Sequence, residues 1–438
     1  MSFFLKGVRV PHRKNTADKP ALRIEAPKTV KIPMSMHIGA PAKPIVKIGD
    51  TVKIGTLIGE AGGFVSSDIY ASISGKVVKI EDFTLSSGAK TQAVVIESDG
   101  EMARDEALAA PTVNSAEELT EAIRKSGVVG LGGAGFPTHV KFKVAPARIE
   151  ELIVNGAECE PYITSDSYTM TERTADIEVA LTAIKKHFGM KKIIIGIEEN
   201  KKKAIAAMKE LAGKIEGAEV KVLPSIYPQG GEKVLIYHTT GKVVSAGKLP
   251  IDVGCIVVNC TTLAAIGRYL TDGTPLVKKC VTVDGGAVKN PANVIAPIGT
   301  PVSELIELCG GFAEEPAKVL YGGPMMGIAV ADVNVPVIKN TNAIIALTEK
   351  EAKLPKTTAC IRCGSCTNTC PFGLAAADIL RAYEKRDTEK LRALSVETCM
   401  ECGCCSFVCP ANRPLVQTNK LAKSLLKEET AKEASKNG

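Results

Sequence analysis

The feature that most constrains this chain is a repeated run of cysteines. The segment from Cys360 to Pro371 reads CIRCGSCTNTCP, and the segment from Cys399 to Pro410 reads CMECGCCSFVCP. Both follow the spacing C-x2-C-x2-C-x3-C-P. Three cysteines separated by pairs of residues curl a tight loop around one cubane and offer three iron corners a thiolate each. The fourth, ahead of proline, leaves the loop and reaches the other cluster. The pattern predicts two [4Fe–4S] clusters. One is held by Cys360, Cys363, Cys366 and Cys409, the other by Cys399, Cys402, Cys405 and Cys370. Zinc also takes four thiolates, but as paired Cys-x-x-Cys knuckles without the three-plus-one spacing and the terminal Cys-Pro. Cys404 is extra. Matching the second segment to the first makes Cys405 the ligand and Cys404 a bystander.

This spacing is that of bacterial two-cluster ferredoxins, with a longer insert. Residues 374–394 read as one amphipathic helix, with Leu374, Ala377, Ile379, Leu380, Tyr383, Leu391 and Leu394 apolar at near-helical spacing. A second helix is expected over 415–426. Nine of the 14 cysteines fall between Cys360 and Cys409. That clustering, in a chain without an export signal, points to metal in a reducing compartment rather than to disulfides. The scattered Cys159, Cys255, Cys260, Cys280 and Cys309 read as small buried side chains. The five histidines share no ligand spacing, and only His139 lies in a candidate site.

At 438 residues the chain is long enough for about three domains. No apolar run approaches the ~18–20 residues that span a bilayer. The opening MSFFLKGVRVPHRK is too short for a signal-peptide core. The expectation is a cytosolic protein, or one held at a membrane by partners. The net charge of +7 is dispersed: Lys201–Lys203 and the tail from Lys420 to Lys436 read as solvated helix faces. Aromatics are 4% and Trp is absent, which leaves few stacking platforms and argues against nucleic acid.

Clusters of this kind need an electron source upstream, and the candidate is VVGLGGAGFPTHVK, from Val128 to Lys141. It contains a GxGxxG. A helix over 115–125 precedes it, with Ser115 as N-cap and Glu118 three residues on, and Pro137 follows, so this is not a Rossmann fingerprint. Its glycines can turn backbone N–H groups toward a phosphate, with Lys141 adding charge. On residues alone a structural glycine turn fits as well. Next comes VNGAECEP, from Val154 to Pro161, and then Asp166. Carboxylates there would oppose a phosphate but suit ribose hydroxyls, a flavin edge or a nicotinamide. IIIGIEEN (193–200) reads as a strand before a helix, YPQGGEK (227–233) opens a further helix, and IVVNCTT (256–262) runs from strand into helix.

These segments resemble the FMN- and NADH-binding domain of the complex I flavoprotein subunit. More closely, the chain from Leu5 to Leu425 resembles the RnfC family of the Rnf complexes, the ion-translocating ferredoxin:NAD⁺ oxidoreductases. The resemblance implies that Gly130, Gly132, Gly133, Gly135 and Lys141 cradle a non-covalent FMN. It implies that Asn155, Glu158, Glu160 and Asp166 line the flavin ring and the incoming nicotinamide. Glu232 matches a nucleotide-side glutamate, and Asn259 with Thr262 a phosphate-end contact. Glu158, Glu160 and Glu232 are the candidates for catalytic roles, with NAD(H) as substrate. The complex I pattern has an Asp where this chain has Ala157, so contacts of that Asp do not carry over.

The expected fold class is multidomain α/β. Residues 1–100 would form a barrel-sandwich hybrid; its hairpin YASISG (70–75) lacks the lysine of biotinyl and lipoyl carriers, which makes it a docking module. Residues 112–272 would form a Rossmann-like FMN/NADH domain, 273–350 an SLBB-type β-grasp scaffold, and 351–438 a helical two-cluster domain with a charged tail. The opening GVRVPHRKNT (7–16) also resembles the Rnf family. The implied function is a peripheral electron-transfer subunit on the cytoplasmic side of the membrane. It would pass electrons between NAD(H), FMN and the clusters, with membrane subunits as partners and ferredoxin reached through other subunits. The alternatives are a soluble flavin-dependent cobalamin reductase, or a relay or scaffold with an inactive flavin site.

Overall fold

The computed structural model describes residues 5–436, with side chains described through 433. At its centre is a parallel sheet ordered Ala218–Leu223, Lys192–Glu198, Glu151–Gly156, Cys255–Asn259. The inner strands are near-continuous apolar runs, LIV and IIIGI, buried on both faces as a parallel sheet requires. From Glu151–Gly156 the chain steps outward through two strands, then returns to add Cys255–Asn259 on the opposite flank. The direction of winding therefore reverses between Glu151–Gly156 and Cys255–Asn259. A crevice opens at such a point, beyond the carboxyl ends of the two strands. The helix Ala116–Lys125 starts as expected, with Ser115 accepting from the Glu118 N–H. Helices Lys202–Gly213 and Glu232–Thr240 also follow where the sequence placed them.

The N-terminal module stacks two small antiparallel sheets, Thr29–Pro33, Lys90–Ser98, Gly75–Thr84, Thr51–Val52 and Lys43–Pro44, Leu57–Glu60, Ile69–Tyr70. The expected hairpin at 70–75 is not an exposed tip. Its flanking strands belong to different sheets, Ala71–Ser74 is buried, and the Ser72 hydroxyl donates to the Ile298 carbonyl. The segment that would carry a swinging arm in other proteins is spent on packing. Its apolar residues share one core with the central domain, from Val30 and Ile96 through Leu119 to Ile195.

Strand, turn, strand and helix follow over Lys278–Asp284, Ala292–Pro297 and Val302–Leu308, as the sequence suggested. They belong to a six-stranded sheet with its own core. Leu22–Arg23 joins this sheet, parallel to Ala292–Pro297. The first residues thus leave the barrel module that the sequence assigned them to. Residues 5–16 form a strap: Val8 pairs with Tyr227, and His12 O accepts from the Tyr162 N–H.

The C-terminal domain is helical. The single helix expected over 374–394 is two, Ala376–Glu384 and Thr388–Ala393. Arg386 takes a positive φ of 54° and the Asp387 carboxylate caps the second helix by accepting from Lys390 N–H, so polar Lys-Arg-Asp breaks a run whose apolar residues stay in phase. Both pieces pack on a helix longer than expected, Leu415–Lys436. Lys201 also departs from expectation: it is buried in an ion pair with buried Glu198 at 2.9 Å, not on a solvated face. Among the described residues no helix is long and apolar enough to cross a membrane.

Candidate functional site

The crevice gathers the residues that the motifs singled out, from segments far apart in sequence. Asn155 and Asn259 end the two strands that flank it. Asn259 is the N-cap of Cys260–Asp272, where its Oδ1 accepts from the N–H groups of Thr261 and Thr262. Its Nδ2 donates to Asp166 Oδ2 at 2.8 Å, and Thr261 Oγ1 donates to Asp166 Oδ1 at 2.6 Å. Thr262 Oγ1 accepts from the Leu131 N–H at 3.0 Å, which ties the helix start to the glycine loop. That loop is a tight turn: Gly130 N–H donates to Phe136 O at 2.8 Å and Gly135 takes φ of 72°. Its tip, Gly132, Gly133 and Ala134, is exposed. A β-carbon at Gly133 would meet only open space, whereas one at Gly132 would strike Asn259.

Lys141 reaches the same crevice and donates to Glu232 Oε1 at 2.8 Å and to Val257 O at 2.9 Å. Asn155 Nδ2 donates to Gly230 O at 2.9 Å, joining the strand end to the YPQGGEK turn. The two loop glutamates are engaged. Glu158 is buried and accepts from Asp166 N–H at 2.6 Å and Ser167 Oγ at 2.5 Å, so it caps Ser165–Glu172 from outside. Burial raises its carboxyl above the ordinary range. Glu160 accepts from the N–H groups of Met325 at 3.1 Å and Met326 at 2.8 Å, and burial pushes its carboxyl up to about 7. Ala157 is buried, and a β-carbon at Gly230 would lie 3.7 Å from Ala157 Cβ. His139 is buried in the short helix Thr138–Phe142, and burial lowers its basicity.

Sequence reasoning missed several residues that shape this crevice. Lys14 donates to three carbonyls of the NGAECEP loop and its continuation, Lys279 donates to Leu131 O at 3.0 Å, and Asn340 donates to Gly133 O at 3.0 Å. Each comes from another module, so no local spacing marks it.

The cysteine motifs fold as two copies of one loop. Arg362 and Gly364 in the first have φ of 56° and 75°, and Glu401 and Gly403 in the second have 62° and 82°. Short helices follow at the same register, Ser365–Thr369 and Cys404–Phe407, and they pack together. Cys404 therefore occupies the place of Ser365, and Cys405 that of Cys366. Cys370, Cys399, Cys402 and Cys405 line one cavity of about 360 Å³, with Leu374, Ala376 and Val416 among its apolar walls. Cys399 Sγ accepts from Glu401 N–H at 3.4 Å and from Asn419 Nδ2 at 3.3 Å. Cys366 and Cys409 pack together against Ala376 and Leu415, while Cys360 and Cys363 are exposed. Among the described residues no three Cys, His, Asp or Glu side chains converge on a point one metal ion could occupy. The thiols surround a space instead, and the donor set suits a cluster.

The inner cavity abuts the flavin-side crevice. The Tyr227 hydroxyl donates to Cys402 O at 2.7 Å, the Cys404 thiol donates to Tyr227 O at 3.7 Å, and a β-carbon on Gly231 would run into Met400.

Four families match the chain in order: the RnfC barrel sandwich hybrid domain at 2–101, the Nuo51 FMN-binding domain at 123–268, the SLBB domain at 280–329 and the 4Fe-4S dicluster domain at 353–410. The chain is 43% identical over 427 residues to the RnfC-type subunit of the Na(+)-translocating ferredoxin:NAD(+) oxidoreductase complex of Acetobacterium woodii, covering 96% of each. It belongs to the RnfC family. It is also 44% identical to the corresponding subunit of the proton-translocating ferredoxin:NAD(+) oxidoreductase complex of Clostridium ljungdahlii, over 83% of this chain and 80% of that one. The corresponding subunit of the Rhodobacter capsulatus ion-translocating oxidoreductase complex is 40% identical, over 98% of this chain and 84% of its own length. This RnfC-family chain is an oxidoreductase subunit with an FMN-binding domain and a two-cluster [4Fe–4S] domain, as the motifs implied.

Proposed function

We propose that the chain is the peripheral NAD(H)-side subunit of an ion-translocating ferredoxin:NAD⁺ oxidoreductase, seated on the cytoplasmic face against membrane subunits. The observation that carries this reading is the contact between crevice and inner cavity, where Tyr227 joins the YPQGGEK turn to Cys402. The names of the relatives supply the two substrates, ferredoxin and NAD⁺.

In this reading Gly132 and Gly133 let an FMN phosphate approach the loop, and Thr262 and Asn259 hold that loop against the helix start. Lys141 supplies the neighbouring positive charge, with Glu232 as its counter-ion. Asn155, Glu158, Glu160 and Asp166 shape the wall that receives the flavin ring and the nicotinamide. Bound FMN would interconvert the two-electron exchange of NAD(H) and the single-electron exchange of a cluster. Cys370, Cys399, Cys402 and Cys405 would hold the cluster nearer the flavin. Cys360, Cys363, Cys366 and Cys409 would hold the outer one, whose exposed thiols face a partner.

The test is anaerobic. The full chain is reconstituted, iron, sulfide and FMN are counted, and NADH is added. About eight irons with FMN bound, and bleaching of flavin and then cluster absorbance, are expected. Full clusters without FMN binding or NADH bleaching, in excess FMN, would leave only a relay.

A further inference from the structure

The loop that carries Glu158 and Glu160 runs from the end of strand Glu151–Gly156 to helix Ser165–Glu172 without regular structure of its own. Buried carbonyls in such a loop need partners. Its backbone is also unusual: Glu158 and Tyr162 take φ of 48° and 69°, a region that residues with a side chain occupy only where their surroundings impose it. The imposing group lies outside the flavin domain. Lys14 Nζ donates to Glu158 O at 2.9 Å, Glu160 O at 2.8 Å and Ile163 O at 2.6 Å. An ammonium has three N–H bonds and no more, and here each meets one carbonyl.

The rest of the strap reinforces this grip. His12 O accepts from Tyr162 N–H at 2.9 Å, the Arg13 guanidinium stands 5.5 Å over the Tyr162 ring, and Thr16 and Thr164 share a hydrogen bond. At its other end Val8 exchanges backbone hydrogen bonds of 2.8 and 2.9 Å with Tyr227, the residue bonded to Cys402. One strand of chain thus holds the flavin-side loop and the inner-cluster contact together.

We propose that Lys14 is a positioning residue for the FMN and nicotinamide site: its ammonium fixes the main chain that presents Glu158 and Glu160. Burial lowers the Lys14 pKa to about 8, so the amine still carries its proton at neutral pH. This inference rests on the function proposed above and adds a requirement: the site is complete only with the N-terminal strap in place.

The experiment compares the full-length, cluster-loaded chain with Lys14→Met, and with Lys203→Met, which removes an exposed ion pair to Asp18. FMN affinity is read from flavin fluorescence, KM and kcat from NADH oxidation with ferricyanide as acceptor, and folding from iron content and Tm. A misplaced loop should weaken FMN binding about tenfold or more and raise KM for NADH more than it lowers kcat. Iron content should stay whole, and Lys203→Met should match the unmodified chain. If Lys14→Met does not fold, Arg13→Ala decides, since Arg13 grips the same loop from the exposed side; the same change, smaller, is expected. Wild-type FMN affinity and KM in the variants, even with a lowered Tm, would overturn the positioning role. An unmodified chain that neither binds FMN nor oxidises NADH would instead sink the functional reading itself.

Discussion

A β-carbon on Gly132 would lie 2.4 Å from Asn259 Nδ2 and 2.8 Å from its Cγ. Asn259 has little freedom to yield, because its Oδ1 caps the Cys260–Asp272 helix and its Nδ2 is bonded to Asp166. Gly132→Ala should therefore push the loop outward and weaken FMN binding about tenfold or more, leaving the iron content unchanged. Flavin and iron per chain, measured on one preparation, check this. The sequence marked Gly132 as a donor of backbone N–H. The close approach of Asn259, from a segment over a hundred residues away, shows a second reason for glycine that no local pattern contains. The same holds for the glutamates. Their place beside the crevice was legible, but Glu158 caps a helix and Glu160 binds the turn at Met325 and Met326. Those partners depend on which turns come together in space.

The two cysteine loops were the most legible elements, because Cys-x-x-Cys spacing is a local property that few residues of chain can satisfy. The shared positive φ at Arg362 and Glu401, and at Gly364 and Gly403, supports the alignment that makes Cys405 the ligand. Cys404→Ser should keep about eight irons per chain, since serine already serves at position 365, whereas Cys405→Ser should fall to about four. Iron assay and the cluster EPR signal separate the outcomes. The helix over 374–394 shows where periodicity misleads. Apolar spacing continues in phase across the break because both pieces pack on one long helix, and only the Asp387 cap and the Arg386 φ reveal the stop.

At the scale of the whole molecule, Lys339 joins three modules. Its buried ammonium donates to Ser67 Oγ at 3.0 Å, Asp68 O at 2.6 Å and Gly127 O at 2.7 Å. The charged or titratable groups acting on it are the Asp68 carboxylate, itself paired with Arg124 at 2.9 Å, and His37, which burial and Lys339 hold down at about 4. Burial lowers the Lys339 pKa to about 7. An unfolded lysine titrates near ~10.4, so from about pH 7 to 10 the unfolded chain binds more protons, and stability rises with pH. Below that window this lysine contributes no slope. Lys14, lowered to about 8, acts in the same direction. Lys339→Met should flatten the rise, which urea midpoints at pH 7, 8, 9 and 10 would register. An equally steep rise in the variant would assign the slope to other groups.

What the sequence by itself determined were the features set within a few residues of chain: thiol spacing, the glycine turn, strands that run into helices, and the succession of four modules. What only the tertiary structure decided were the partners. Lys14 meets Glu158 across 144 residues, Tyr227 meets Cys402 across 175, and Lys339 meets Asp68 across 271. One lysine looks like another in a sequence. Burial and the convergence of carbonyls from separate modules single out these two, because a charge taken from water must find its acceptors wherever the fold brings them.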